Sequence, residues 1–183
     1  MPSSPRANRG PSAAAENRAA LIGAARRIFA TRGLDAPLSA VAREAGVGQG
    51  SLYRHFPTRY SLALAVFEEN VDALEKLAAV DGSTLDDLLS AITAQAIVST
   101  AFFEMMEIEK ADDAGRELID RIDRVLSSKL PAARSGGLAP EWVTTGDVLL
   151  GVAMLAGALA KTAQRERRDV ADRVWALLPF GPA

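Results

Sequence analysis

Residues 38–62 read LSAVAREAGVGQGSLYRHFPTRYSL, and this stretch decides the fold of the first third of the chain. Apolar residues recur at helical spacing on both sides of Gly46, so the pattern predicts two short helices joined by a glycine turn. The residues assigned only to a small core are Leu38, Val41, Ala42, Ala45, Val47, Leu52 and Phe56. Two short helices at such a turn are typical of a helix-turn-helix, which lays its second helix in the major groove of DNA.

The polar side chains at the start of the second helix suit base edges. Gln49 carries the amide that pairs bidentately with adenine, Gly50 permits close approach, and Ser51 can donate or accept a hydrogen bond. These three residues are the predicted base contacts. The alternative is a solvated helix face without a ligand.

A second group of polar residues suits phosphate. Tyr53, His55 and Arg59 present a phenol, an imidazole and a guanidinium, none of which distinguishes one base from another. Arg54 is open between base, phosphate and solvent. Tyr53 has the alternative of a packed aromatic residue, and His55 that of a capping or core residue.

The charge distribution singles out the same part of the chain. Through residue 60 there are nine arginines against three acidic residues, a net charge of +6, whereas the remainder has twelve basic and twenty acidic residues, a net charge of −8. A basic module joined to an acidic body indicates a polyanionic partner for the first sixty residues.

The composition excludes several classes of protein. The chain has no cysteine and a single histidine, His55, so we expect no disulfide, no metal, no cofactor and no enzymatic activity. The chain starts without a signal-peptide pattern. The longest apolar run, Val148 to Ala160, is too short to span a bilayer, so we expect a cytoplasmic protein.

Helical periodicity accounts for the rest of the chain, and we predict an all-α protein. The turn Pro131–Pro140, rich in Gly and Pro, is predicted as a connection. The predicted helices beyond the two short ones cover about residues 14–32, 57–80, 84–106, 111–129, 144–161 and 166–178.

At this point the sequence resembles the DNA-binding domain of the tetracycline repressor (TetR) family. The resemblance rests on residues 22–33, 45–47, 52–56 and 59–62 and covers about residues 17–66. It implies that the DNA-facing positions are Gln49, Gly50, Ser51, Tyr53, His55 and Arg59.

Two residues depart from the family pattern at the helix starts. Pro37 and Gly48 stand where side-chain caps are usual; losing such a cap costs about 1 kcal/mol against Ala but only a few tenths against Gly, and we expect a more mobile second helix that still functions. Asp35 or Ser39 is the expected partial replacement in the first of these helices, and Ser39 is also assigned to phosphate.

The resemblance further implies the domain organisation. Residues 1–13 are expected to be a flexible arm, residues 14–60 a homeodomain-like helix-turn-helix domain, and residues 61–183 a helical domain for dimerisation and effector binding. The last two long helices would pair with those of a second copy. Gly151, Ala153, Gly157 and Ala158 would permit close approach there, and the alternative is a buried helix in a monomer. Residues 137–149 are similar to the SbtR-type C-terminal subgroup.

The resemblance also implies a cavity for a small molecule. The expected walls are Phe102, Phe103, Met105, Met106, Trp142 and Met154, with ordinary core as the alternative for each. The function implied is a bacterial homodimeric repressor that a small apolar effector releases from palindromic double-stranded operator DNA. The alternatives are an effector-independent regulator and a ligand-binding or scaffold protein with a vestigial DNA module.

Overall fold

Eight α-helices make up the part of the chain that the computed structural model describes, residues 11–99 and 113–182, which confirms the all-α prediction. A 3₁₀ turn at Gln164–Glu166 precedes the last helix. The helices are α1 (Pro11–Arg32), α2 (Leu38–Glu44), α3 (Gln49–His55), α4 (Arg59–Ala78), α5 (Leu85–Val98), α6 (Asp113–Ser135), α7 (Thr145–Ala160) and α8 (Arg167–Ala176).

Three helices begin with the same reciprocal cap. Thr58, Thr84 and Thr144 each accept a hydrogen bond from the backbone N–H three residues later, where Ser61, Asp87 or Asp147 accepts one in return. The pKa of Asp87 is lowered by hydrogen bonds from the Thr84 backbone and side chain, and that of Asp147 by the side chain and backbone of Thr144. These caps fix where α4, α5 and α7 begin.

The helices α2 and α3 lack such caps. Pro37 and Gly48 occupy the N-cap positions in extended conformations without a side-chain hydrogen bond. The expectation that Asp35 or Ser39 replaces the cap of α2 is therefore wrong. Pro37 also lies just before the first turn, where its missing N–H costs no hydrogen bond.

The buried residues form two cores that meet along α4. One core joins α1, α2 and α3 to the first half of α4, and the other joins the end of α4 to α5, α6, α7 and α8. Ile122 of α6 packs against both cores. Since α4 and α6 both contribute to the two cores, a change in one core can reach the other through these two helices.

An arginine clamp holds α6 against α4. The Nε of Arg121 donates to Glu75 at 2.8 Å, and one terminal nitrogen donates to both Glu75 and Asp72 at 2.6 Å. The Arg121 side chain is only 17% exposed. The donated hydrogen bond lowers the pKa of Glu75, and the two carboxylates raise the pKa of Arg121.

The prediction that a connection begins at Pro131 is wrong, because α6 continues through this proline to Ser135. Leu130 and Ala133, on either side of it, are both buried in the second core, so packing offsets the lost backbone hydrogen bond. The helix ends at Ser135, and Gly137, with a φ of 73°, takes the left-handed conformation of a C-terminal cap.

Candidate nucleic-acid interface

The turn between α2 and α3 is a complete Schellman cap. Gly46 has a φ of 66° and donates to the carbonyl of Arg43 at 3.2 Å, while Val47 donates to Ala42 at 3.0 Å. These bonds satisfy the last carbonyls of α2 and turn the chain sharply into α3. The angle between the two short helices is therefore built into the backbone.

The α3 helix buries one side and presents the other. Leu52 and, just beyond the helix, Phe56 are buried in the first core, and the guanidinium of Arg18 in α1 lies 5.4 Å from the Phe56 ring centre. Gln49 and Gly50 are exposed at the start of α3. The helix is thus held by its apolar side while its first turn stays accessible.

The remaining predicted contacts lie around this exposed turn. Tyr53 is 52% exposed, Ser51 and His55 are partly exposed, and Ser39 is exposed in the first turn of α2. The structure thereby brings the predicted base and phosphate residues of α3 onto one short helix. The major groove, which is about 12 Å wide, admits an α-helix that presents such polar side chains.

Arg59 has partners that the sequence did not reveal. One terminal nitrogen of its guanidinium donates to the carbonyls of both Leu34 and Ala36. Arg59 is the first residue of α4, and the two carbonyls belong to the connection between α1 and α2. The side chain therefore ties this connection to α4, whatever its remaining nitrogens contact. Backbone carbonyls carry no side-chain signal, so the sequence pattern could not have identified this role.

Exposed charges border the same surface. Arg43 and Arg54 are exposed, whereas Arg27 is paired, its Nε donating to Glu44 at 3.0 Å. The Arg27–Glu44 pair links α1 to α2. The two exposed guanidiniums leave positive charge beside α3, which favours a polyanion over a neutral ligand.

A cavity of about 510 Å³ lies where the two cores meet. It is lined mostly by apolar side chains from α1, α4, α5, α6 and α7, among them Phe29, Phe67, Ile92, Ile122 and Val152. This size falls in the range of small-molecule sites. Since the lining includes α1, the cavity borders the same domain that presents α3.

The residues predicted to line a cavity are placed elsewhere or fall outside the description. Trp142 is 66% exposed and Met154 is 51% exposed, and neither is among the lining residues. Phe102, Phe103, Met105 and Met106 lie outside the described residues. The lining residues of α1 and α4 have the apolar spacing of ordinary helical core, so the sequence pattern does not distinguish them.

Large apolar side chains are exposed on the last two helices. Leu150 and Met154 of α7 are 59% and 51% exposed, and Leu177, which follows α8, is 81% exposed. Gly157 is exposed on α7 with no atom within 4 Å of a Cβ built at that position. Exposed apolar residues of this size are typical of protein–protein interaction sites.

Gly151 serves the chain's own packing. A Cβ at this buried glycine would lie 2.9 Å from the Leu178 side chain and 3.0 Å from the ring of Phe180. The close approach that Gly151 permits is therefore to the segment after α8.

No helix among residues 11–99 and 113–182 combines the length and apolar character needed to cross a membrane.

The first part of the chain, which contains α2 and α3, is similar to a known protein family. Residues 21–66 match the family described as bacterial regulatory proteins, tetR family. This match contains α2, α3 and the start of α4. No curated protein sequence gives a significant match.

Solved structures extend the similarity to nearly the whole chain. A TetR transcriptional regulator from Streptomyces coelicolor is 27% identical, aligns 90% of this chain with 99% of its own, and has a TM-score of 0.60. A TetR transcription regulatory protein from Mycobacterium vanbaalenii is 28% identical over 88% of this chain and 96% of its own, with a TM-score of 0.54. CprB from S. coelicolor A3(2), at 23% identity, shares the fold with a TM-score of 0.62 over 90% of this chain and 87% of its own. The SbtR-type similarity is not addressed by these structures and stays a prediction.

Proposed function

Because the chain belongs to the tetR family of bacterial regulatory proteins and is a DNA-binding transcriptional regulator, we propose that it acts as a homodimeric repressor that a small apolar effector releases from a palindromic operator. The observation that carries this proposal is the exposed polar turn of α3, held by the same core that borders an apolar cavity.

We assign the DNA contacts to the exposed turn and its surroundings. Gln49, Gly50 and Ser51 read base edges, and Tyr53, His55 and Ser39 contact phosphates. These roles are supported by the exposure of the first turn of α3 and by the hydrogen-bonding groups that it presents. Arg59 contributes to phosphate binding only through nitrogens that do not hold Leu34 and Ala36.

The domain division follows the proposed roles. Residues 14–60 bind DNA and residues 61–183 dimerise, while the effector is held between them, against α1 on one side and α5, α6 and α7 on the other. The helix α4 contributes to both cores, so it connects the two functions.

The dimer is proposed to form through α7 and α8. The exposed Leu150 and Met154 of α7 and Leu177 just after α8 would be covered by the same residues of a second copy, as a two-fold interface requires. Trp142 and Met154, which do not line the cavity, suit such an interface better than an effector site. A dimer presents two α3 helices, and reading one palindrome requires them about 34–36 Å apart.

We propose that the position of the cavity allows a bound effector to release the protein from DNA. An effector lodged between α1 and α4 on one side and α5, α6 and α7 on the other would prefer one relative position of these helices. Only such a difference in affinity can change the spacing of the two α3 helices, and DNA binding must then weaken effector binding by the same factor.

The DNA contacts can be tested by binding the purified chain to fragments of its own promoter region over a range of salt concentrations. Gln49→Ala should change the preference among operator sequences, with a loss of about 1–3 kcal/mol at one base pair. Tyr53→Phe should weaken binding to all sequences alike by about 1 kcal/mol.

The matched control is Gln164→Ala, which removes an exposed glutamine far along the chain in the 3₁₀ turn and should leave binding unchanged. If the wild-type chain shows no sequence-specific, salt-sensitive binding, the proposal fails. If Gln49→Ala weakens all sequences equally, Gln49 does not read bases.

A further inference from the structure

The chemistry of the cavity lining limits what the cavity can bind. Among the described lining residues the polar side chains belong to Arg26, Asn70, Gln95 and Ser99, and all others are apolar. A ligand that fills this cavity therefore places most of its surface against hydrocarbon. Among the described lining residues, only these four side chains can hydrogen-bond to its polar atoms.

The charged residue of this lining is already paired. The guanidinium of Arg26 donates to the carboxylate of Glu69, and both side chains are about half exposed, at 49% and 43%. The pair thus lies toward solvent at the edge of the cavity. A charged ligand would have to leave water for a wall whose described residues are mostly apolar and offer no free opposite charge, which is costly.

Two neutral amides remain for recognition. Asn70 projects from α4 and Gln95 from α5, so the cavity is bounded by one amide on each of two packed helices. Within the described parts of the chain neither side chain takes part in a hydrogen bond, whereas Ser99 already has an interaction. Among the described residues no fully buried side-chain polar atom lacks a partner, so these two amides are accessible rather than sealed in the core.

From these observations we propose that the cavity selects an uncharged, mostly apolar molecule whose carbonyl or hydroxyl group hydrogen-bonds to Asn70 and Gln95. The amide N–H groups donate to such an oxygen, and the amide oxygens accept from a hydroxyl. This proposal rests on the proposed function, in which the cavity ligand releases the DNA. It adds the chemical class of the ligand and the two residues that recognise it.

The test uses the full chain and eight-carbon probes that differ only in the head group. These are 2-octanone, 1-octanol, octanoate, octylammonium and 1-chlorooctane, with dissociation constants measured by calorimetry at pH 7. The two neutral hydrogen-bonding probes should bind best, and the two ions at least about tenfold more weakly.

Near-isosteric variants then test the two amides. Asn70→Leu and Gln95→Met should each weaken 2-octanone binding by about two- to tenfold, the loss expected for one hydrogen bond. They should not weaken 1-chlorooctane binding, because this probe accepts no strong hydrogen bond. A merely structural effect of the substitution would weaken the binding of 2-octanone and of 1-chlorooctane alike. Gln164→Met, the same change at an exposed site outside the cavity, should alter neither.

Other outcomes overturn one proposal or both. If octanoate binds best and Arg26→Gln abolishes this binding, the ligand class is wrong while effector binding stands. If 2-octanone binds through the amides yet does not release promoter DNA, the ligand class stands and ligand-controlled repression fails. If none of the five probes binds, both fail.

Discussion

At the scale of single residues, Arg59 is the side chain whose role the structure changes most. Its guanidinium holds the carbonyls of Leu34 and Ala36, so Arg59→Met should leave two partly buried acceptors without a donor. We expect the free protein to lose about 1–3 kcal/mol of unfolding free energy, because unsatisfied acceptors keep their desolvation cost. Urea unfolding in the absence of DNA measures this loss.

The control for this variant is Arg54→Met, which removes an exposed arginine of α3 and should change the stability by less than about 0.5 kcal/mol. Salt dependence separates the two roles of Arg59. Were Arg59→Met as stable as the wild type, with a DNA-binding salt slope lower by about one, Arg59 would be a phosphate contact and not a tie within the domain.

At the scale of helices, the clamp of Arg121 on α4 predicts a pH dependence. The pKa of Glu75 is lowered from its ordinary value of 4.5, chiefly because Arg121 donates a hydrogen bond to its carboxylate. The charged form is thus favoured by folding, so the clamp stabilises the protein above pH 4.5 and loses this effect as the pH falls further. The contribution is at most about 1 kcal/mol, since Glu75 is well exposed.

Glu75→Gln should therefore be less stable than the wild type at pH 7, and the difference should shrink as the pH falls from about 5 to 3. Chemical denaturation at several pH values measures it. Glu68→Gln, an exposed change on the same helix outside the clamp, should show no such trend. A difference between Glu75→Gln and wild type that stays constant with pH would exclude this role for the clamp.

At the scale of the whole molecule, the exposed face of α7 predicts the oligomeric state. The double variant with Leu150→Glu and Met154→Glu places two carboxylates where the proposed partner copy packs, so it should sediment as a monomer at concentrations where the wild type is a dimer. Its operator affinity should fall with it, since one α3 reads only half of a palindrome.

Val80→Glu serves as the control for this experiment, because Val80 is an equally exposed apolar residue in the connection between α4 and α5. It should sediment as the wild type does. A wild-type chain that is itself a monomer at micromolar concentration would disprove the proposed dimer, and a dimer that survives both glutamates would place the interface elsewhere.

Much of the local structure follows from the sequence alone. Gly46 and the apolar spacing around it predict two short helices and the turn between them, and both are present. The Thr84 cap of α5 and the left-handed Gly33 after α1 are local features of the same kind. These features depend on a residue's own conformational preferences and on neighbours within one helical turn, so the sequence is sufficient to predict them.

The structure alone decided everything that depends on distant neighbours. The α6 helix runs through Pro131 because the second core holds both sides of it, and Arg59 is tied to carbonyls more than twenty residues away. The cavity is likewise bounded by Phe29 and Asn70 rather than by Trp142. The physical reason is that helical periodicity tells which side of a helix is apolar but not which other helix covers it or where two cores leave a gap.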